Sequence, residues 1–481
     1  MNRKTLSPES ASTRGLSGKP ESASIRGLSG KPESPAFRLI GQMAYTYNAD
    51  IGIAYSSPCR GVWNIVHYGT LVPGGHQVYV CPTSCLRGVV LTTAEMGAME
   101  KLSTITVGED NLLDGDMEEE LLRGTEKIID SLPEHPRLMM IFTSCIHHFL
   151  AVNYQRVYRI LRKEYPDIDF IDCYMDPIMR RQKPPFPNLV RQVTRVLPQA
   201  EKNPRQANFL GNCFPMAEDC DLYCHLREHG IRVLDLPSMK TYEEFLGQAA
   251  SPVNFTFHGV GAAAAKDLEI RLGQAWKPMR NGYDYDAIDE DMAEASALLG
   301  IPAPSGEEIR RQRRETEQAA EALRKALAGT AISLDDTAVD RPLELALYLL
   351  DHGFSVESVF LESITEPREV FERLREKKTD LKVYSALGWN MRRVRREHSG
   401  KLLAVGQKSA YFAGCGYFVN MTQNDGLYGY RGIRRLFRLM AEAAVEEKPL
   451  RELVQQKGWR AGPYFTDICA RERQTEQEER A

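Results

Sequence analysis

The chain has 481 residues, too many for one hydrophobic core, and at ~150 residues per domain it predicts about three. Its 43% hydrophobic and 26% charged residues suit an ordinary soluble, multidomain protein, and a formal charge of −4 argues against nucleic acid or an anionic membrane surface as the main partner. No apolar run approaches the ~18 residues needed to cross a bilayer, and Ser, Pro and Gly follow Met1-Asn2-Arg3-Lys4 where a leader would be apolar, so a cytoplasmic protein is expected. In a reducing compartment ten cysteines are poorly explained as a disulfide framework, which leaves metal, redox chemistry and plain burial to share them.

Residues 1–38 carry a repeat of period twelve, with Pro8-Glu9-Ser10-Ala11-Ser12 recurring from Pro20 and, altered, from Pro32. Such Ser/Gly/Pro units have too little apolar surface to offset the entropy of ordering, so a disordered tail is expected. Seven Lys/Arg against three Asp/Glu make this tail +4 and leave the remainder at −8. From 39 to 206 strands and helices alternate. Val78-Tyr79-Val80, Leu138 to Phe142 and Ile168 to Cys173 read as strands, Met117 to Leu132 as a helix with Leu121, Leu122, Ile128 and Ile129 at helical spacing, and Pro184 to Pro187 as a rigid loop.

A middle unit, 207–330, has a strand at Arg232 to Leu236 after a Gly230 stop, a short helix from Thr241 to Ala249, and a strand from Val253 to Phe257 that passes into an Ala-rich helix. Ser305-Gly306-Glu307-Glu308 is a capping-box signature opening a long, charged helix to Ala328, expected to be an exposed connector. The third unit, 331–465, repeats the theme: helix Pro342 to His352, strand Val356 to Leu361, helix Glu366 to Lys378, then strands near Lys382 and Leu402 and a strand-turn over Lys408 to Phe412. Residues 466–481 read as a charged tail. Strand and helix in repeated alternation predict an α/β chain of three Rossmann-like parallel-sheet domains.

Cys59, Cys85 and Cys145 each stand where an apolar run meets Gly, Pro, Ser or Thr, the junction at which side chains converge above strand ends. Their spacings, 26 and 60 residues, leave burial as small hydrophobes open as an alternative. Cys81 and Cys85 are also compatible with half of a zinc site, but no second close pair with zinc-ribbon spacing follows nearby. Cys213, Cys220, Cys224 and His225 form another local group, with Cys220 and Cys224 four residues apart.

The order Cys59, then Gly74-Gly75-His76 leading to Cys85, then a strand ending in Thr143-Ser144-Cys145 resembles the N-terminal domain of the nitrogenase component 1 superfamily. Asn111 to Gly115, Gly230 to Val233 and Leu427-Tyr428-Gly429-Tyr430-Arg431-Gly432 extend the resemblance over most of residues 40–445. It implies that Cys59, Cys85 and Cys145 hold this subunit's share of an iron–sulfur cluster, either [4Fe–4S] or P-cluster-like, at a subunit interface. Cys81 is then a spare thiol, a structural one, or a further ligand of an altered cluster. The resemblance further implies an oxidoreductase that receives electrons from an ATPase iron–sulfur reductase partner. It implies, too, pairing with itself or a sister component 1-type subunit, as a dimer or heterotetramer, and a substrate, second metallocluster or tetrapyrrole in the central interdomain cleft around which the three domains of the family stand. A cluster-assembly scaffold is the alternative. In the catalytic nitrogenase subunit a middle-domain Cys and a final-domain His anchor the large cofactor; here Phe257-His258-Gly259-Val260-Gly261 has no Cys and Tyr428-Gly429-Tyr430 no His. The departure implies a nitrogenase-like reductase rather than an authentic nitrogenase catalytic subunit, with His258 and Tyr428 as its candidate catalytic proton donors.

His147 and His148 follow Cys145 directly, and Arg392, Arg393, Arg395 and Arg396 beside Trp389 make the densest basic patch, suited to carboxylates or to being a solvated helix face. Cys415 lies between two glycines in a loop. Nothing resembles a Walker loop, so ATP chemistry falls to a partner.

Overall fold

Leu138 to Thr143 has no polar side to offer to water, and all six residues are buried. A strand apolar on both sides must be covered on both, which is the environment of a parallel sheet between helix layers. The computed structural model describes residues 36–45, 55–59, 61, 64–176, 184–394, 398 and 400–455, and among these it builds three such sheets.

The first strand, β1 (Phe37–Leu39), belongs to the third sheet. Sheet 1 contains β2 (Gly75–Cys81), β3 (Leu102–Thr106), β4 (Leu138–Thr143) and β5 (Asp169–Tyr174), ordered β3-β2-β4-β5 and parallel throughout. Sheet 2 contains β6 (Gln206–Leu210), β7 (Arg232–Asp235), β8 (Val253–Thr256) and β9 (Ala275–Pro278), ordered β7-β6-β8-β9 and again parallel. Sheet 3 contains β10 (Ala331–Asp335), β11 (Ser355–Leu361), β12 (Lys382–Ser385), β13 (Leu402–Val405) and β14 (Phe418–Val419), ordered β1-β12-β11-β10-β13-β14. Only β1 runs antiparallel there.

In each sheet the chain grows to one side of its first parallel strand and then crosses to the other side. The reversals fall between β2 and β4, β6 and β8, and β10 and β13. Helices that leave two such strands pass to opposite faces of the sheet, so a crevice opens at the carboxyl ends between them. These three crevices position the chemistry described below.

Residues 36–45 correct the sequence reading, which divides them between a tail ending at 38 and a first domain starting at 39. β1 pairs with β12, Ile40 N–H donates to Leu381 O, and the Tyr45 hydroxyl to Glu366 O, all within the lobe of sheet 3. The long helix Gly306–Ala326 has the predicted cap, Ser305 Oγ accepting from Glu308 N–H at 3.1 Å, yet it is no exposed connector. Gln312, Thr316, Ala320 and Leu323 form a buried stripe, and Arg434 of the helix Gly429–Ala443 donates to Gln312 and Thr316. Polar residues on that stripe are satisfied by tertiary partners that local composition does not reveal.

Pro185 begins the helix Pro185–Thr194 rather than a rigid loop, because a first-turn proline lacks only an N–H that would be unpaired anyway. Lys408 to Phe412 lies in the helix Gln407–Ala413 instead of a strand-turn. The period-twelve repeat and the charged 466–481 segment lie outside the described residues.

Gly406, at φ +114°, joins β13 to that helix, and a Cβ there would collide with the Asp335 carboxylate. Gly406→Ala is therefore expected to destabilise the protein by about 2 kcal/mol or more, read as a lower urea-unfolding midpoint.

Candidate functional site

At the sheet 1 crevice β2 ends in Cys81, which is fully buried, and Pro82 turns the chain into the helix Thr83–Glu95. Cys85 occupies the first turn of that helix, its N–H donating to Pro82 O at 2.9 Å, and is exposed. Across the reversal β4 pairs with β2 up to Val80↔Thr143, so Ser144 and Cys145 emerge beside Cys81. Cys145 opens the short helix Cys145–Phe149 and is half-buried. Burial pushes the Cys81 thiol up to about 12, and the neighbouring Cys85 and Cys145 add to that shift. Cys59 is buried on the segment leading to the helix Ile65–Leu71.

The structure thus brings Cys81, Cys85 and Cys145 to one crevice. Among the described residues no three His, Cys, Asp or Glu side chains stand together as a metal-binding group within the single chain. On donor chemistry the thiols nevertheless fit an iron–sulfur group completed from outside: they sit at adjacent strand ends and two of them are open to the surface. Exposed Leu112, Leu113, Phe149 and Leu150 lie on the segments leaving the same edge. His147 is fully buried, with Nδ1 3.3 Å from Ser144 Oγ, and burial holds its imidazole down at about 4; His148 is exposed.

At the sheet 2 crevice close backbone approach is the governing feature. A Cβ on Gly211, at φ +82°, would lie 2.8 Å from the backbone of Gly261, and one on Gly261 would lie 2.6 Å from Leu210 O. The exits of β6 and β8 are thereby packed backbone to backbone, and His258, directly before Gly259-Val260-Gly261, is set at the rim. His258 Nδ1 lies 2.9 Å from Asp340 Oδ2, a residue of the sheet 3 lobe. His258 also lines a cavity of about 450 Å³ with Phe257, Trp276, Lys277, Arg280 and Arg341.

Asp235, at the end of β7, is buried and accepts from Asn212 Nδ2 at 3.1 Å and from Met216 N–H at 2.9 Å. Burial pushes its carboxyl up to about 7 against the pull of those hydrogen bonds. Burial alone would push His258 down, but Asp340 outweighs it and the imidazole is held above its ordinary range. Asp340 is in turn held below the usual carboxylate range, the His258 charge outweighing its own burial.

Tyr428 precedes the helix Gly429–Ala443 and sets its ring edge-on to Phe257, with centroids 5.3 Å apart. Its hydroxyl is buried without a hydrogen-bond partner among the described residues, and burial raises its phenol well above the ordinary value. The same neighbourhood therefore holds His258 and Tyr428, but Tyr428 lines a smaller recess with Asn281, Tyr283 and Met421 rather than the His258 cavity.

At the sheet 3 crevice Asp335 and Asp336 end β10 opposite Lys408, and sequence reasoning missed this group. Lys408 is only 4% exposed, and its Nζ lies 3.2 Å from both Asp336 Oδ1 and Glu362 Oε1. Asp335 accepts from Ser409 N–H at 2.8 Å. Paired acids closing an apolar strand, Leu334-Asp335-Asp336, were the available signal, whereas Asp235 closes its strand as a single acid.

Cys213, Cys220 and Cys224 are buried with thiols pushed up by burial, and His225 Nε2 lies 2.9 Å from Ser296 Oγ. Cys224 and His225 line a separate cavity of about 250 Å³ with His229 and Arg431. Cys415 is buried with Sγ 3.1 Å from Leu402 O. Arg392 and Arg393 lie over the Trp389 ring at 3.9 and 4.9 Å, and Arg395 and Arg396 fall outside the described residues.

Replacing Lys408 by Met leaves Asp336 unpaired. The expected loss is roughly 2–3 kcal/mol, below that of a fully enclosed pair because Glu362 is partly open to water. Burial raises the Asp336 carboxyl to about 6, so the folded chain holds its proton more tightly than the unfolded one, and removing Lys408 strengthens that bias. The destabilisation should consequently be larger at pH 8 than at pH 5 in urea titrations of the two proteins.

Comparison with known proteins agrees with this architecture. A solved structure described as "Nitrogenase Cp1 at pH 6.5" superposes with a TM-score of 0.61 at 15% identity, covering 82% of this chain and 94% of that one. A second, "Nitrogenase Cp1 at pH 5", gives 0.55 at 13% identity, covering 84% and 91%. At these identities the likeness is one of fold. No curated protein matches the sequence. Among the described residues no helix is long and apolar enough to cross a membrane. Residues 71–444 match the family described as nitrogenase component 1 type oxidoreductase, and the chain, with its three reversed parallel sheets, belongs to that family.

Proposed function

We propose that this chain is the component 1-type subunit of a nitrogenase-like reductase. It receives electrons from a separate ATPase iron–sulfur protein and reduces a substrate or metal cofactor in the crevice between sheets 2 and 3. The observation that carries this reading is the position of Cys85 and Cys145 on the two sides of the strand reversal of sheet 1, with Cys85 open to a partner.

Cys59, Cys85 and Cys145 are the residues that would hold an iron–sulfur cluster, which supplies one-electron transfer when bound. Cys85, exposed in the first turn of the helix Thr83–Glu95, is open to a group shared with a second chain. Cys81, a poor thiolate because it is buried, serves packing in this reading. The apolar side chains Leu112, Leu113, Phe149 and Leu150 would be covered by a second subunit, a copy or a sister chain, that brings the remaining thiols.

At the other crevice Asp340 favours the protonated form of His258, which lines the cavity, while Tyr428 keeps its phenol proton and its hydroxyl has no hydrogen-bond partner among the described residues. Both are proposed as catalytic proton donors. Electron entry and proton delivery are thus assigned to different sheets.

Protein purified without oxygen is expected to carry iron and sulfide, and Cys59→Ala, Cys85→Ala and Cys145→Ala should each lower the iron content. Iron unchanged in all three variants would remove the ligand assignment. A colourless, iron-free protein that stays folded would remove the reductase reading, and transfer of the cluster to an acceptor without substrate reduction by the loaded pair would mark a scaffold instead.

A further inference from the structure

Of the two ring nitrogens of His258, Nδ1 is committed to Asp340, and Nε2 has no hydrogen-bond partner among the described residues. The side chain is 15% exposed and lines the cavity of about 450 Å³, so Nε2 is the nitrogen left to meet a ligand there. Asp340 is itself fixed. Asn281 Nδ2 donates to its Oδ2 at 3.0 Å, and its own N–H donates to Asn424 Oδ1 at 3.0 Å. Asn424 is held with φ +57° in a turn whose backbone is tied back to Ala338. With its backbone held by Asn424 and its Oδ2 shared between Asn281 and His258, Asp340 presents that oxygen to the imidazole from one direction.

We propose that Asp340 is the positioning residue of this site, orienting His258 so that its Nε2–H points into the sheet 2 cavity and serves there as the acid for a bound, electron-accepting ligand. The proposal deepens the reductase reading and rests on it for the electron. In the proton-transfer step the Nε2–H bond breaks and a bond forms between that hydrogen and the ligand atom reduced by the partner's electron. The ring remains neutral with its proton on Nδ1 toward Asp340, which stays ionised, and water returns a proton to Nε2.

The charged groups around His258 agree with this assignment. Asp235 approaches from the end of β7, and Asp340 and Arg341 from the sheet 3 lobe. The cations on the cavity wall are each paired with a carboxylate, Lys277 with Asp291 and Glu294, Arg280 with Asp291 at 2.9 Å and Glu290 at 3.0 Å, and Arg341 with Glu344 at 3.0 Å, so they leave Asp340 and Asp235 to decide the imidazole's charge. That two lobes each supply one partner of the pair also explains why neither stretch of sequence displays it.

The test is a histidine-selective ¹³C NMR titration of the full chain, which contains ten histidines, with His258→Gln identifying the resonance. In the wild type His258 should titrate above the ordinary value of about 6.5. In Asp340→Asn its midpoint should fall by about one pH unit or more, a tenfold weaker hold on the proton, while the other histidines stay in place, and Asp340→Glu should recover part of the shift. A wild-type midpoint at or below about 6.5, or a midpoint unchanged in Asp340→Asn, overturns the proposal. If Asp340→Asn does not fold, the wild-type and Asp340→Glu titrations decide. With the partner reductase present, the alkaline limb of the pH–rate profile should move to lower pH in Asp340→Asn. A chain that shows the NMR coupling but no turnover keeps Asp340 as the orienting group and loses the reductase reading, and a moved midpoint with an unmoved limb removes His258 as the acid.

Discussion

When a parallel sheet reverses its strand order, the two helices leaving neighbouring strands must go to opposite faces, and nothing in the backbone fills the space between their first turns. The three crevice sites are a consequence of that constraint. It leaves strand-end side chains and unpaired amides facing a gap, and it admits only residues that tolerate close quarters. Gly211 against Gly261 in sheet 2, and Gly406 against Asp335 in sheet 3, are the positions where the gap is narrowest. Glycine is required there because a Cβ would occupy the place of a backbone or a carboxylate.

The three reversals carry different chemistry on the same frame. Sheet 1 places thiols at its gap, sheet 2 a histidine between two acids, and sheet 3 a buried lysine among acids. Their electrostatics differ accordingly. Lys408 is buried at the centre of its own counter-charges and has little freedom to do anything but hold β10, β11 and the helix Gln407–Ala413 together. His258 is paired through Nδ1 with Asp340 and lines a cavity. An ionisable group satisfied on every side stabilises a fold, whereas one satisfied on a single side can exchange a proton.

Sheets 2 and 3 are tied by polar contacts that reach between lobes. Glu344 accepts from Tyr283 N–H at 2.7 Å, Asp221 accepts from Arg431 N–H at 3.0 Å, and Asp340 meets His258 and Asn281. Their geometry fixes one lobe against the other through charge-assisted hydrogen bonds rather than through apolar area alone. The His258–Asp340 pair, shared between lobes at 2.9 Å, depends on such rigidity, since a shift of about 1 Å would separate it.

Much of this was legible in the amino-acid sequence. Apolar runs such as Leu138 to Phe142 and the amphipathic stripe of Leu121, Leu122 and Ile129 are set by local periodicity, and they place strands and helices close to where the structure has them. The thiols at strand ends and the family to which they point were equally visible, because Cys85 and Cys145 are reached directly from β2 and β4. What local pattern could not supply was partnership. Phe37–Leu39 reads as the end of a tail until it is seen beside Lys382–Ser385, and the charged helix Gly306–Ala326 reads as exposed until Arg434 reaches its buried face. The Asp340–His258 pair joins residues 82 positions apart in the chain, so only the packing of sheet 2 against sheet 3 makes it. Sequence by itself determined the long apolar strands, the strongly periodic helices and the thiol junctions, which depend on neighbours along the chain; tertiary structure alone decided which charges meet in the crevices, because that depends on neighbours across it.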